Sequence, residues 1–148
     1  MLRFGRVLKR LFLLFVGTGI ALGTGFGVAA QSQQSAQKPY TVENGKVDRK
    51  TYNGWRRYTE SCLRCHGPDG AGSSYAPSLV DSAKTMTQDQ FNEIVVNGRI
   101  NVNAANENVM PPFGTVEDVV IYLDDIWAYL KARADGVLGR GRPPRIGE

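Results

Sequence analysis

Apolar and polar positions change their spacing several times along this chain, and each change marks an element. From Asp48 to about Ser61, Tyr52, Trp55 and Tyr58 recur on one helical face that continues to Cys62, and Asp48 stands where an N-cap is needed. Asn44-Gly45, just before, is a turn signal. GPDGAGSSYAPS carries glycine and proline throughout and predicts a loop. Thr87 with Gln90 forms a capping box ahead of a short helix that turns Phe91, Ile94 and Val95 inward and is closed by Gly98. Arg99 to Gly114 is asparagine-rich, has no helical period and predicts turns and loop. A last helix, with Thr115 as its expected cap, is apolar at Val119, Leu123, Ile126, Tyr129 and Leu130. It carries Glu117 and Asp118 in its first turn and Lys131 and Arg133 in its last, in line with the helix dipole. No repeat and no convincing strand emerges. The expectation is an all-α domain of three to four helices joined by long loops.

The N-terminus reads differently. Arg3, Arg6, Lys9 and Arg10 precede an apolar run, LFLLFVGTGIAL from Leu11, and Val28-Ala29-Ala30 offers small residues ahead of polar Gln31. This is the layout of a signal peptide, residues 1–30, cleaved after Ala30. The rival reading is an uncleaved membrane anchor, but the run to Val28 barely reaches spanning length and is interrupted by glycines. The expected organisation beyond it is a polar linker over 31–46, a domain over 47–136 and an irregular basic tail, LGRGRPPRIGE, within 137–148.

Charge supports this division. The whole chain has a formal charge of +4, and the four basic residues of the leader account for it. The remainder is neutral, which argues against nucleic-acid binding. Export places two cysteines in an oxidising compartment, where free thiols tend to pair. A two-residue gap makes a poor staple, because it closes almost no loop.

SCLRCHGPDG holds both cysteines and the single histidine. Three devices use this spacing. A structural zinc site needs four Cys or His side chains, and the chain has three in all. A redox dithiol sits at a strand-to-helix junction, whereas this motif follows a helix. The third device, C-x-x-C-H, attaches haem covalently: Cys62 and Cys65 add to the vinyl groups and His66 ligates the iron. A large apolar cofactor also compensates for the thin core that so few helical residues provide. One motif implies one haem c.

The sixth iron ligand follows by elimination. No second histidine exists, and Met1 leaves with the leader. Met86 precedes a helix cap, where packing explains it. Met110 lies in VMPPF, whose two prolines restrict the loop and reduce the entropy lost in fixing the thioether. The expected site is therefore Cys62, Cys65, His66 and Met110, with His66 and Met110 on the metal, and no catalytic residue. Several other groups are assigned plainer roles. Arg99 suits a haem propionate, but an exposed loop arginine is the simpler reading. Asn101, Asn103, Asn106 and Asn108 with Glu107 supply too few carboxylates for calcium. Asp124 and Asp125 are adjacent on a helix and read as a solvated face.

At this point the chain resembles the class I cytochromes c. Gly54 and Tyr58 stand before Cys62 like that family's N-terminal-helix glycine and aromatic, and IWAYLK, Ile126 to Lys131, resembles its C-terminal helix. The resemblance implies that Tyr129 and Leu130 cross at Gly54, and that the carbonyl of Pro77, in APSL, accepts the Nδ1–H of His66. A narrower likeness lies in YNGWRRYTESCLRCHGPDGAGSS, NVMPPFGT and YLDDIWAYLKARADGVLGRGRP. These are similar to small periplasmic cytochromes that accept electrons from quinoprotein (PQQ-dependent) alcohol dehydrogenases. The likeness implies a periplasmic electron carrier, no enzyme, that takes single electrons from a methanol or ethanol dehydrogenase and passes them to a downstream cytochrome or terminal oxidase. Two rivals stand beside it: a haem sensor or enzyme with labile methionine ligation, and a membrane-tethered subunit of a respiratory complex.

Overall fold

The computed structural model describes residues 37–103 and 106–148, with the side chains of 101–108 left aside. The leader, its cleavage site after Ala30 and the first part of the polar linker lie outside the described residues. Two helices form the frame. Helix α1, Arg49–Ser61, starts where Asp48 accepts the Thr51 N–H at 2.7 Å. Helix α6, Leu123–Ala134, is the core element, burying Ile126, Trp127, Ala128, Tyr129, Leu130 and Ala132. The two cross at Gly54, whose absent side chain lets the α1 backbone lie against the carbonyl of Asp125. The crossing is thus one turn earlier on α6 than Tyr129 and Leu130, where the family likeness put it. Tyr129 instead stacks on Tyr58 with ring centroids 5.5 Å apart. Asp125 is correspondingly not a free solvated carboxylate, since it accepts a hydrogen bond from Asn53 at 2.7 Å.

Between these helices lie α2 (Leu63–His66), a 3-10 turn (Pro68–Gly70), α3 (Leu79–Thr85) and α4 (Gln88–Asn97). The Thr87–Gln90 capping box forms as expected, and Gly98 closes α4 with φ +74°. Helix α3 is unanticipated. Ser78 caps it, accepting the N–H of Asp81, and its seven residues are too short to establish a period. The last helix is split, with α5 (Glu117–Ile121) separated from α6 at Tyr122. Thr115 is not its cap; Val116 precedes α5 without a capping side chain. The physical reason lies just upstream, where the Phe113 and Gly114 N–H groups bond to the Val95 and Val96 carbonyls at the end of α4. That docking holds the chain in a turn and delays the helix.

Strands are present after all. Val42–Glu43 (β1) and Lys46–Val47 (β2) pair across the Asn44-Gly45 turn, so the segment expected as linker enters the fold here. Arg99–Asn103 (β3) and Asn106–Met110 (β4) form a second antiparallel hairpin, with Arg99 opposite Met110 and Ile100 opposite Val109. The asparagine-rich stretch is therefore a ribbon instead of a loop, and the asparagine side chains lie outside what is described. The C-terminal segment also docks: Val47 donates to the Pro144 carbonyl, and Ile146 donates to Val47, both at 2.9 Å. Removing the α1 cap with Asp48→Ala should lower stability by about 1 kcal/mol, read as a fall in the thermal midpoint; an unchanged midpoint contradicts the cap's contribution.

Candidate haem-binding site

The CxxCH segment is set by the end of α1. Cys62 is half-buried where α1 gives way to α2, and Cys65 is exposed on the far side of the α2 turn. Burial, with a smaller contribution from Cys65, pushes the Cys62 thiol up to about 12. It is a neutral thiol in an apolar wall, unlike the depressed thiolates of redox dithiols. His66 is buried at 6% exposure. Its Nδ1 lies 2.9 Å from the Pro77 carbonyl, as the family likeness implied. The carbonyl is only an acceptor, so Nδ1 is the donor in this bond and Nε2 is the ring nitrogen left to face a metal.

Tyr58 supports this turn from behind. Its hydroxyl donates to the Gly67 carbonyl and accepts the Gly70 N–H at 2.9 Å, tying the residues after His66 to α1. Burial pushes the Tyr58 phenol up to about 12, and it remains a neutral hydrogen-bonding group. On the other flank, Gly72 donates to the His66 carbonyl at 2.8 Å and the Ser73 hydroxyl donates to Cys65.

Facing His66 is an apolar cleft lined by Cys62, Leu79, Met86, Phe91, Ile94, Val95, Met110 and Ile126. Met110 reaches it from the end of β4. Its backbone is held by pairing with Arg99 and by contact with Gly98, where a β-carbon would stand 2.6 Å from the Met110 carbonyl and 2.8 Å from the Pro112 nitrogen. The hairpin, unread in the sequence, is what positions this methionine, with the prolines stiffening the exit. Met86 packs against the core, as expected, and borders the same cleft. An adjoining recess is lined by Gln90, Glu93, Asn97 and exposed Arg99 as well as Met86 and Ile94. Asp124 is exposed and accepts from Gln88.

The donor set fits haem c. One imidazole nitrogen and two thioether sulfurs border an otherwise hydrocarbon-lined cleft, a cysteine stands at its edge, and a second cysteine lies one helical turn on. Soft sulfur and imidazole donors in an apolar slot suit a haem iron and offer little to a hard cation.

Comparison with known proteins agrees. A family profile described as cytochrome C oxidase, cbb3-type, subunit III, matches residues 49–130. Cytochrome c-553I of Paracoccus denitrificans is 52% identical over 104 residues, covering 70% of this chain; the chain spans 46% of that protein's length. Cytochrome c-555 of Methylococcus capsulatus is 41% identical over 96 residues, 64% of this chain and 72% of that one. The crystal structure of the c-type cytochrome XoxG from Methylobacterium extorquens AM1 superposes with a TM-score of 0.66 at 42% identity. The alignment covers 74% of this chain and 67% of that one. With the motif, the buried histidine and the cleft in one place, the chain belongs to the class I c-type cytochromes, single-haem electron carriers with covalently bound haem c.

Proposed function

We propose that this protein is an exported, periplasmic cytochrome in which Cys62 and Cys65 would hold the haem through thioethers and His66 and Met110 would ligate its iron. We further propose that it carries single electrons from a quinoprotein alcohol dehydrogenase towards a downstream cytochrome or terminal oxidase. The observation that carries the ligand assignment is the cleft itself, bordered by His66 and by Met110 at the hairpin base. Haem supplies one-electron chemistry when bound, and the chain's residues hold, bury and tune it. His66 is oriented through Pro77. Met110 is presented by β4, and a thioether ligand favours the ferrous state. The apolar wall of Leu79, Phe91, Ile94, Val95 and Ile126 keeps water from the cleft, which favours the less charged oxidation state. No residue acts as acid, base or nucleophile in this reading.

The donor assignment rests on the likeness of the loops and tail to cytochromes that serve quinoprotein dehydrogenases. Mixing the oxidised protein with reduced methanol or ethanol dehydrogenase in a stopped-flow instrument should give rapid, second-order appearance of the ferrous spectrum. Because such encounters use small charged interfaces, the rate should depend on salt. Reduction no faster than by an unrelated flavoprotein sinks the donor assignment. A second reading is favoured by the description of the matching profile: a subunit of a respiratory oxidase. Among the described residues no helix is long and apolar enough to cross a membrane. Fractionation decides between them, since a tethered subunit sediments with membranes and a freely diffusing carrier does not.

A further inference from the structure

The residues immediately after His66 are gripped from the far end of the chain. Asp69 sits three residues past the histidine in left-handed backbone, φ +60° and ψ 16°, which a non-glycine residue adopts only at a cost. Its side chain is 11% exposed. One carboxylate oxygen accepts the Gly141 N–H at 2.9 Å and the other accepts Arg140 Nε at 3.1 Å. Burial alone would raise its pKa, but these bonds and the charges of Arg133 and Arg140 outweigh that and keep it ionised. Of the two bonds the Gly141 one is the firmer anchor, because the Arg140 side chain is largely exposed.

Beyond that anchor the segment is fastened twice more. Arg142 lies over the rings of Tyr52 and Trp55, and Arg145 lies 4.9 Å from the centre of the Tyr52 ring. Pro144 and Ile146 then pair with Val47. The segment runs from the turn after the haem motif, along α1, to the N-terminal hairpin.

We propose that residues 140–146 are a positioning strap for the haem-binding turn. Acting through Asp69, the strap fixes the Gly67–Gly70 backbone and with it the orientation of the His66 ring. Tyr58 transmits the hold, because its hydroxyl joins Gly67 to Gly70, the two residues flanking Pro68 and Asp69. Asp69 and Gly141 are thus positioning residues, and the C-terminal segment, which the sequence presents as an irregular tail, belongs to the cofactor site. The inference rests on His66 being an axial ligand.

The test uses full-length haem-loaded protein with two substitutions of different kind. Asp69→Asn keeps a side chain tolerant of left-handed backbone but removes the charge. Gly141→Pro removes the N–H donor, and proline cannot adopt the φ of +86° found there, while no charge changes. Two signals are read. Amide exchange at Ile146 reports strap release and should accelerate at least about tenfold, as expected for loss of a hydrogen bond to a charged group. The proton shifts of the haem methyls in the ferric protein report the axial ring orientation. Both variants should redistribute those shifts in the same sense, and Gly141→Pro should move the reduction potential with no change in charge. Faster exchange with wild-type methyl shifts and potential overturns the proposal, as does wild-type exchange in both variants. A wild-type ferric protein without the dispersed methyl shifts of low-spin, imidazole-ligated haem overturns the ligand assignment itself, and the strap proposal with it.

Discussion

A β-carbon at Gly54 is expected to cost this protein its fold. In Gly54→Ala the added atom would lie within the carbonyl group of Asp125 and 3.0 Å from the Ile126 nitrogen. Both neighbours are backbone, so no side-chain rotation relieves the clash; α1 and α6 must separate along their crossing. That separation exposes Tyr58, Ile126, Tyr129 and Leu130, each at 1% exposure or less. Overpacking typically costs about 1–3 kcal/mol, and a clash with backbone that cannot rotate away lies at the upper end, a large share of the stability of a small domain. The measurements are the yield of haem-loaded protein and the thermal midpoint. Gly139→Ala is the control, because a β-carbon there meets nothing within 4 Å and should change stability by less than about 0.5 kcal/mol. Equal stability of the two variants would refute the close crossing.

If Met110 ligates the iron as proposed, Met110→Ala is expected to spare the fold and lower the reduction potential. Met110 is only partly buried, at the end of a hairpin whose backbone pairing does not need its side chain. The methionine-to-iron charge-transfer band of the ferric protein should vanish. The potential should fall by on the order of 0.1 V, a fraction of the roughly 0.8 V range that axial ligation spans. The informative comparison is Met86→Ala, since Met86 borders the same cleft. Its band should persist. A band that survives Met110→Ala and disappears in Met86→Ala would transfer the ligand role to Met86.

The parts legible in the sequence are those in which a local signal and its structural consequence lie within one turn. Asp48 caps α1, Thr87 and Gln90 box α4, and the buried positions of the last helix recur at helical spacing. The CxxCH motif was legible for the same reason: its chemistry is contained in five residues. The hairpin that carries Met110 was not. Its first strand alternates Ile100 and Val102 with asparagines, a period-two signal, yet asparagine favours turns, and Ile100 and Val109, paired across the hairpin, are 75% and 61% exposed. Asn44-Gly45 announced a turn, but strands of two residues leave no periodicity to read. The grip of Gly141 on Asp69 spans 72 residues and depends on one N–H, a group every residue but proline carries. The sequence contains no trace of such a contact.

The crossing of α1 and α6 also imposes an order of events on folding. The Asn53–Asp125 bond beside it joins residues 72 apart, and closing a loop of that length costs about 4 kcal/mol in chain entropy. A chain that emerges N-terminus first presents Cys62, Cys65 and His66 long before α6 is available to pack against α1. The α1–α6 crossing thus forms only after the 72 residues between Asn53 and Asp125 are available, which makes it a late contact relative to the local turns around the motif.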